Sequence, residues 1–568
     1  MKQLRAISLL IFLFSILHCT AQKVSFSETG NNITINNSIV SFTFNKSNAD
    51  LTEIRNWHNT NLLGKKGRAY LLGPGFSMFP CTFNIVRSND SLIELSFYHE
   101  ASNHFQYDLH YLLRKGDAGI YCFLEQTHKA SDSAGNYGQT RWGVRADESL
   151  FDYHLVRDSL QGPMPALKEL TDGVQDWTYK LNDSTYYTKY DYADYIEGRH
   201  VHGMAGQKSG LGLFVIQASH EYLNGGPTKQ YQNVHATPFL ICMFNCGHFL
   251  SDRRKADNII TGNWKKLSGP FFLYINEGKN INDIWNDAKA KATEEVGKWP
   301  YVWMEHNDYS LRRGTVSGKL LIDNKPAQAG THLILAAPGY DWQAQSQGYI
   351  YYCTTDENGL FQMSNIRSGN YTLYAYGSNE TEEFSKSNIH VKAGVTTILG
   401  KLQWQPVRYG KQLWQIGIAD RKTTGFALSN HKRNYSVFKM PPANLTYTIG
   451  KSKESDWYYA QTKPGTWTIE FNNIETFNDS ATLTLAFAGY ARNPTLIVTV
   501  NDTQVASVTG GNDASVYRSA VAGGYYQLQR ITFPSTLLLK GNNHIDLTIQ
   551  SMKEGAGIMY DAIKLEAR

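Results

Sequence analysis

Past residue 21 the sequence has no apolar run long enough to cross a bilayer, which excludes a chain threaded through a membrane by helices. Charge is sparse, with 18% charged residues and a formal net charge of +5. The basic residues are scattered, so no nucleic-acid patch is expected. Cysteine is scarce: six residues, five of them after residue 21 (Cys81, Cys122, Cys242, Cys246 and Cys353). An odd number cannot all pair internally. There is no CxxC and no zinc spacing, so buried, free, structural thiols are expected. Cys242 and Cys246 share a face of a strand-like run but lie too far apart for an easy bridge. Internal repeats, coiled-coil heptads and low-complexity tracts are also missing.

What is abundant is aromatic. There are 35 tyrosines and 12 tryptophans. Such residues suit β-sheets, and an aromatic face also covers the C–H face of a sugar ring. A length of 568 residues exceeds one hydrophobic core and predicts several domains. Residues 1–21 carry Lys2 and Arg5, an apolar run over Ala6–Leu17 and small residues before Gln22, the pattern of a secretory signal peptide. Acylation at Cys19 is the alternative, disfavoured by the lead-in Ile16-Leu17-His18. Loss of this segment removes two bases and no acid, taking the net charge from +5 to +3, which would not discourage a polyanionic substrate.

The fold class read from the pattern is all-β in three units. Residues 22–305 alternate apolar and polar residues in short strands, as in "NNITINNSIVSFTFN" and "SLIELSFYHE", and predict a large antiparallel sandwich. One helix is expected within it, "NINDIWNDAKAKATEEVGKW", with Ile284, Trp285, Ala288, Ala292 and Val296 as its apolar stripe. Residues 306–401 suggest a small seven-strand sandwich with a hairpin turn at Asp356–Gly359. Residues 402–568 suggest a terminal jelly-roll.

Three stretches of the first unit hold candidate chemistry. In "TRWGVR", Arg141 and Arg145 project from one face if the segment is a strand; salt bridges to Asp147 or Glu148 are the plainer role. In "STYYTKYDYADYIEGRHVHGMAG", Lys189 stands among Tyr186, Tyr187, Tyr190, Tyr192 and Tyr195, and on a strand would share a face with Tyr187 and Asp191. A lysine over an aromatic floor is commonly a solvated side chain. In "NGGPTKQYQNVHATPFLICMF", His235 precedes an apolar strand, where a histidine commonly caps a sheet. Spacing alone leaves these readings open.

Taken in order, several stretches resemble the polysaccharide lyase family of rhamnogalacturonan endolyases. "YYTKYDYADY…GRHVHGMAG", "NGGPTKQYQNVHATP", "TTDENGLFQMSNIRSGNYTLYAYG", "LWQIGIADRKTTGFAL", "DWYYAQ" and "GIMYDAIKLE" are each similar to a family segment, and they span all three units. The resemblance implies a galactose-mutarotase-like sandwich, a fibronectin-III-like domain and a carbohydrate-binding jelly-roll. It implies cleavage of the rhamnogalacturonan I backbone of pectin by β-elimination at galacturonate. By motif the family's catalytic lysine and histidine fall on Lys189, expected as base, and His235, expected as acid; the reverse assignment stays open, because imidazole is the readier base near neutrality. Arg141, Arg145, Tyr190, Tyr192, Arg199, His202 and Lys229 are the substrate-binding candidates. "NVHATP" and the arginines of "RWGVR" depart from the family pattern: the small residues around His235 are shifted, and arginine in place of lysine keeps the charge but changes its geometry.

No cofactor is expected for catalysis. A structural calcium ion in the C-terminal unit stays open, since no DxDxDG loop appears but acidic loop residues do. A monomer acting on pectic polysaccharide is expected, secreted to the periplasm or the exterior. The rival readings are a non-catalytic glycan-binding protein on the same scaffold, a mutarotase-like epimerase, for which two extra domains have no evident use, and a glycoside hydrolase. The last needs two facing carboxylates, and Asp191 and Asp194 would point to opposite faces of a strand.

Overall fold

The computed structural model describes residues 23–73, 76–183, 185–250, 257–431, 433–518, 520 and 523–568. The expected signal peptide and Cys19 lie outside the described residues. No helix among them is long and apolar enough to cross a membrane.

Among the described residues, the first domain holds, besides two smaller sheets of two and three strands, two nine-stranded antiparallel sheets. One runs from the edge strand Ser25–Thr29 through Thr140–Arg145, Phe239–Asn245 and Gln232–His235 to the short strand Ala193–Asp194. The other runs from Leu160–Pro163 through Tyr153–Arg157, Val201–Ala205, Leu211–Ile216, Trp264–Glu277 and Gly119–His128 to Thr82–Asn89. Alternation makes the layers: in Ser41–Asn45, Phe42 and Phe44 are buried while their neighbours are half-exposed. The Phe44 ring meets Phe97 and Tyr111 from the opposite sheet. Trp142 lies fully buried among them, its indole N–H donating to the Tyr111 hydroxyl at 2.8 Å.

Helix Ile281–Lys298 covers the outer face of the second sheet. Asn280 caps it, its side chain accepting from the Asp283 N–H, a cap worth about 1 kcal/mol. Ile284, Trp285, Ala288 and Ala292 are buried as the pattern predicts, but Val296 is 36% exposed. Glu295 takes the buried place instead, because the Tyr121 hydroxyl (2.9 Å) and Lys291 (3.2 Å) satisfy its carboxylate.

The middle domain has eight strands between Gly314 and Trp404, in two four-stranded sheets. Seven were expected; the eighth is the two-residue strand Lys325–Pro326. The hairpin turn is at Asp356–Gly359, where the Asp356 carboxylate accepts the N–H groups of Asn358 and Leu360. The third domain packs two five-stranded sheets between Lys411 and Ala567 around Trp457, Trp467, Leu485, Ile545 and Ile563. The five described cysteines are free thiols. Cys122, Cys242 and Cys246 are buried, whereas Cys81 and Cys353 are only half-buried.

The domains are pinned to one another. Glu221 of the first domain receives Arg313 (2.5 and 3.1 Å) and Arg367 (2.9 Å) in a buried ion cluster. Arg433 of the third domain donates to Gln230 of the first, and Gln230 donates to the Gly523 carbonyl at 3.3 Å. The third domain therefore closes over one end of the first sandwich.

Candidate active site

Strand Thr140–Arg145 pairs with Arg68–Leu72 on one side and Phe239–Asn245 on the other. Its period of two buries Trp142 and Val144 and leaves Arg141, Gly143 and Arg145 on the opposite face. Gly143 is needed there: a Cβ would stand 2.6 Å from the Phe239 ring. The ring lies in that gap, and the Arg145 guanidinium sits over it at 4.2 Å. Arg145 also donates to the Tyr70 hydroxyl at 3.2 Å.

His235 ends the strand Gln232–His235, one turn before Phe239. Its ring meets Phe239 edge-on at 5.7 Å. Lys189 does not lie on a strand, as its spacing suggested. The strand stops at Thr188, because Asp191 folds back: its carboxylate accepts the Thr188 N–H at 3.1 Å and its own N–H bonds the Thr188 carbonyl. Lys189 heads this turn. Two residues before Lys189, the Tyr187 hydroxyl accepts the Ala236 N–H, which fastens the lysine segment to the residue after His235.

The Lys189 ammonium donates to Asp176 at 2.6 Å, and the other oxygen of Asp176 accepts from the Tyr190 hydroxyl at 2.8 Å. Arg518, from a loop of the third domain, stands 4.0 Å from the same carboxylate. Burial lowers the pKa of Lys189, and Arg518 and Arg141 add to the fall, while Asp176 opposes it. Burial pushes the Asp176 carboxyl up, but the Lys189 and Tyr190 bonds and the nearby cations outweigh it and the net shift is down. Burial, followed by the charges of Lys189 and Arg141, holds His235 well below 6.5, so its imidazole is neutral at neutral pH. His248 is held neutral in the same way, by burial and then by Arg518, Lys189 and Arg141. The site thus sets Arg141, Arg145, Lys189 and Arg518 around the carboxylate of Asp176, beside a neutral histidine. Such a cluster can hold a carboxylate and move a proton next to it.

The family models for polysaccharide lyase family 4, domain II and domain III, match residues 313–399 and 412–565. A rhamnogalacturonate lyase from Dickeya dadantii is 30% identical over 98% of this chain and 96% of its own. The chain belongs to polysaccharide lyase family 4. A probable rhamnogalacturonate lyase B from Aspergillus niger is 23% identical, over 94% of this chain and 88% of its own. Among solved structures, a galactose mutarotase-like protein from Lactobacillus casei covers 43% of this chain and 100% of its own at 11% identity and a TM-score of 0.30.

Of the residues the family motifs single out, Lys189, His235, Arg141, Arg145 and Tyr190 meet at this site. Four others lie elsewhere. Tyr192 is buried, stacked on His154 at 3.8 Å. His202 is fully buried; its Nε2 pairs with the Ile241 carbonyl at 2.7 Å, and burial pushes its pKa down to about 4. Arg199 pairs with Asp194, which also takes Arg157 at 3.2 Å. It lines a pocket of about 380 Å³ against Trp285 and Lys289 of the helix. Lys229 is fully buried in the seam with the third domain, donating to the Phe249 carbonyl at 2.9 Å, and burial pushes its pKa down to about 8. Gly225 lies against its stem: a Cβ there would fall 2.5 Å from the Lys229 side chain.

Arg518, Asp176 and His248 join the site without having been singled out. Only "CGHF" after the apolar strand offered a cue, a histidine two residues past Cys246. Among the described residues, one group of three possible metal ligands occurs, Glu125, His306 and Asp308. Lys265 bridges two of them at 2.8 and 2.6 Å, so an ammonium already supplies the positive charge there.

Proposed function

We propose that this protein is a secreted lyase that cuts the rhamnogalacturonan I backbone of pectin by β-elimination at galacturonate, leaving an unsaturated uronate. The observation that carries the proposal is the meeting of Lys189 and His235 among Arg141, Arg145 and Arg518. The C5 proton of galacturonate is weakly acidic, because its removal adds charge beside a carboxylate. Cations on that carboxylate stabilise the developing charge, and planar guanidinium groups suit its two oxygens. No cofactor is needed for these steps. A monomeric state and export through residues 1–21 belong to the same proposal.

Lys189 takes the C5 proton and His235 protonates the leaving oxygen on C4. The fall in the pKa of Lys189 favours this direction. A second reading reverses the two, and a specific observation favours it: the resting His235 is neutral, while Lys189 is bonded to Asp176. Incubation with rhamnogalacturonan I tests the activity. A lyase raises ultraviolet absorbance from the new C4–C5 double bond; a hydrolase gives reducing ends without it, and a binding protein gives neither.

A further inference from the structure

Strands Asp172–Gln175 and Thr178–Lys180 form a hairpin whose two-residue turn is Asp176–Trp177. Both turn residues have positive φ, 32° and 57°. Such turns favour Asn-Gly, because a side chain in this conformation is strained. A tryptophan there is held at a cost of about 1 kcal/mol or more. The turn is nonetheless fixed from both sides. The Trp177 carbonyl accepts the Lys189 N–H at 3.1 Å, and the Asp176 carboxylate holds the Lys189 ammonium and the Tyr190 hydroxyl. The indole is 41% exposed, with Tyr179 edge-on at 6.2 Å and the Arg145 guanidinium 5.8 Å from its ring. It is therefore a large apolar surface left open to solvent, locked to the candidate proton-transfer lysine and bordered by the cations that would hold a carboxylate.

We propose that Trp177 is the platform for the uncharged deoxy sugar next to the galacturonate, and that it makes the site select a mixed rhamnose–galacturonate backbone over a chain of galacturonate alone. The inference rests on the lyase reading and deepens it. Rhamnose carries a methyl group where galacturonate carries its carboxylate. The methyl and the ring C–H groups can cover an indole face. A carboxylate in that place would lose water against the negative face of the ring, and the neighbouring Arg145 guanidinium is already engaged by the Phe239 ring and the Tyr70 hydroxyl. The platform thus attracts one sugar and penalises the other, and discrimination needs both.

Three variants test this: Trp177→Phe, Trp177→Ala and Trp177→Gly. Alanine removes the platform and leaves the turn strained, whereas glycine removes the platform and relieves the turn, so the pair separates the two roles of the residue. Each is assayed for unsaturated uronate release from rhamnogalacturonan I and from polygalacturonate. Each is also combined with Lys189→Ala, and its binding of a rhamnogalacturonan oligosaccharide is measured by calorimetry. The phenylalanine variant should keep most activity. The alanine and glycine variants should both lose kcat/KM on rhamnogalacturonan I by about tenfold or more, the factor that corresponds to a contact of ~1.4 kcal/mol. Their preference for rhamnogalacturonan I over polygalacturonate should fall with it. In the binding arm, affinity should drop by a similar factor. A glycine variant as active as the parent would overturn the proposal, as would equal losses on both polymers. If the parent protein releases no unsaturated uronate, the lyase reading fails by itself; unchanged oligosaccharide affinity on removing the indole would sink the platform independently.

Discussion

Replacing Asp176 with asparagine isolates the electrostatics of the site with little change of shape. Asparagine tolerates the positive φ of position 176 and can still accept from Tyr190. What it removes is the anion 2.6 Å from Lys189, whose side chain is 13% exposed. An opposite charge at this range holds a pKa up by about 1–3 units, so Lys189 should fall by that much. With His235 titrating below Lys189 in the free protein, kcat/KM rises with pH through the histidine and falls through the lysine, whichever of them is the base. The falling limb should therefore move to lower pH by about 1–3 units in Asp176→Asn. The plateau distinguishes the roles. If Lys189 is the base, only its small neutral fraction is productive, and that fraction grows about tenfold per unit of lowered pKa, less the basicity lost. If Lys189 is the acid, the plateau gains nothing from the substitution. The assay is the pH dependence of kcat/KM from ultraviolet absorbance on rhamnogalacturonan I. A falling limb that stays in place would refute the claim that Lys189 takes part in proton transfer.

In deuterium oxide, His235→Ala should exchange the C5 hydrogen of bound substrate without eliminating if Lys189 is the base; exchange by Lys189→Ala instead assigns that role to His235. Arg518→Ala should lower kcat/KM by about tenfold or more, since it removes a cation from the site, while the melting temperature stays near that of the parent; unchanged kinetics would remove the third domain from the site. His202→Ala should cost about 1–3 kcal/mol in denaturant unfolding, because the Ile241 carbonyl loses its partner, with activity per folded molecule retained; a selective loss of activity would return His202 to the cleft. Lys266 is buried, donates to the Ser346 carbonyl at 2.5 Å, and burial pushes its pKa down to about 7 from 10.5. The unfolded chain then binds the extra proton between these values, so stability relative to Lys266→Met should rise as pH climbs from about 7 towards 10.5; a flat difference across that window would show that Lys266 does not carry this linkage.

The sheets were legible because alternation is local. Phe42 and Phe44, or Trp142 and Val144, announce their faces within a few residues. The same period put Arg141 and Arg145 together, and Gly143 makes sense only once Phe239 is seen lying against it. Lys189 lies beyond the strand its spacing suggests because the bonds of Asp191 to Thr188 end the strand, and tyrosine-rich alternation does not reveal that competition. Val296 and Glu295 exchanged places for a similar reason: a buried partner, Tyr121, made the polar residue the better inward group. Lys229 drew notice as a cation in a motif, yet it supports the domain seam, since no sequence pattern marks a buried lysine. Arg518 lies more than 300 residues from Lys189, and only the closure of the third domain over the first sandwich brings it to Asp176.

Elimination falls to the group around Lys189 and His235 in the proposed mechanism. Its most direct test is the ultraviolet trace of rhamnogalacturonan I incubated with the protein and with Lys189→Ala and His235→Ala. The parent should give a steady rise in unsaturated uronate and both variants a flat trace, each with an unchanged melting temperature. A flat trace for the parent, or a Lys189→Ala protein that eliminates at the parental rate, would contradict that mechanism.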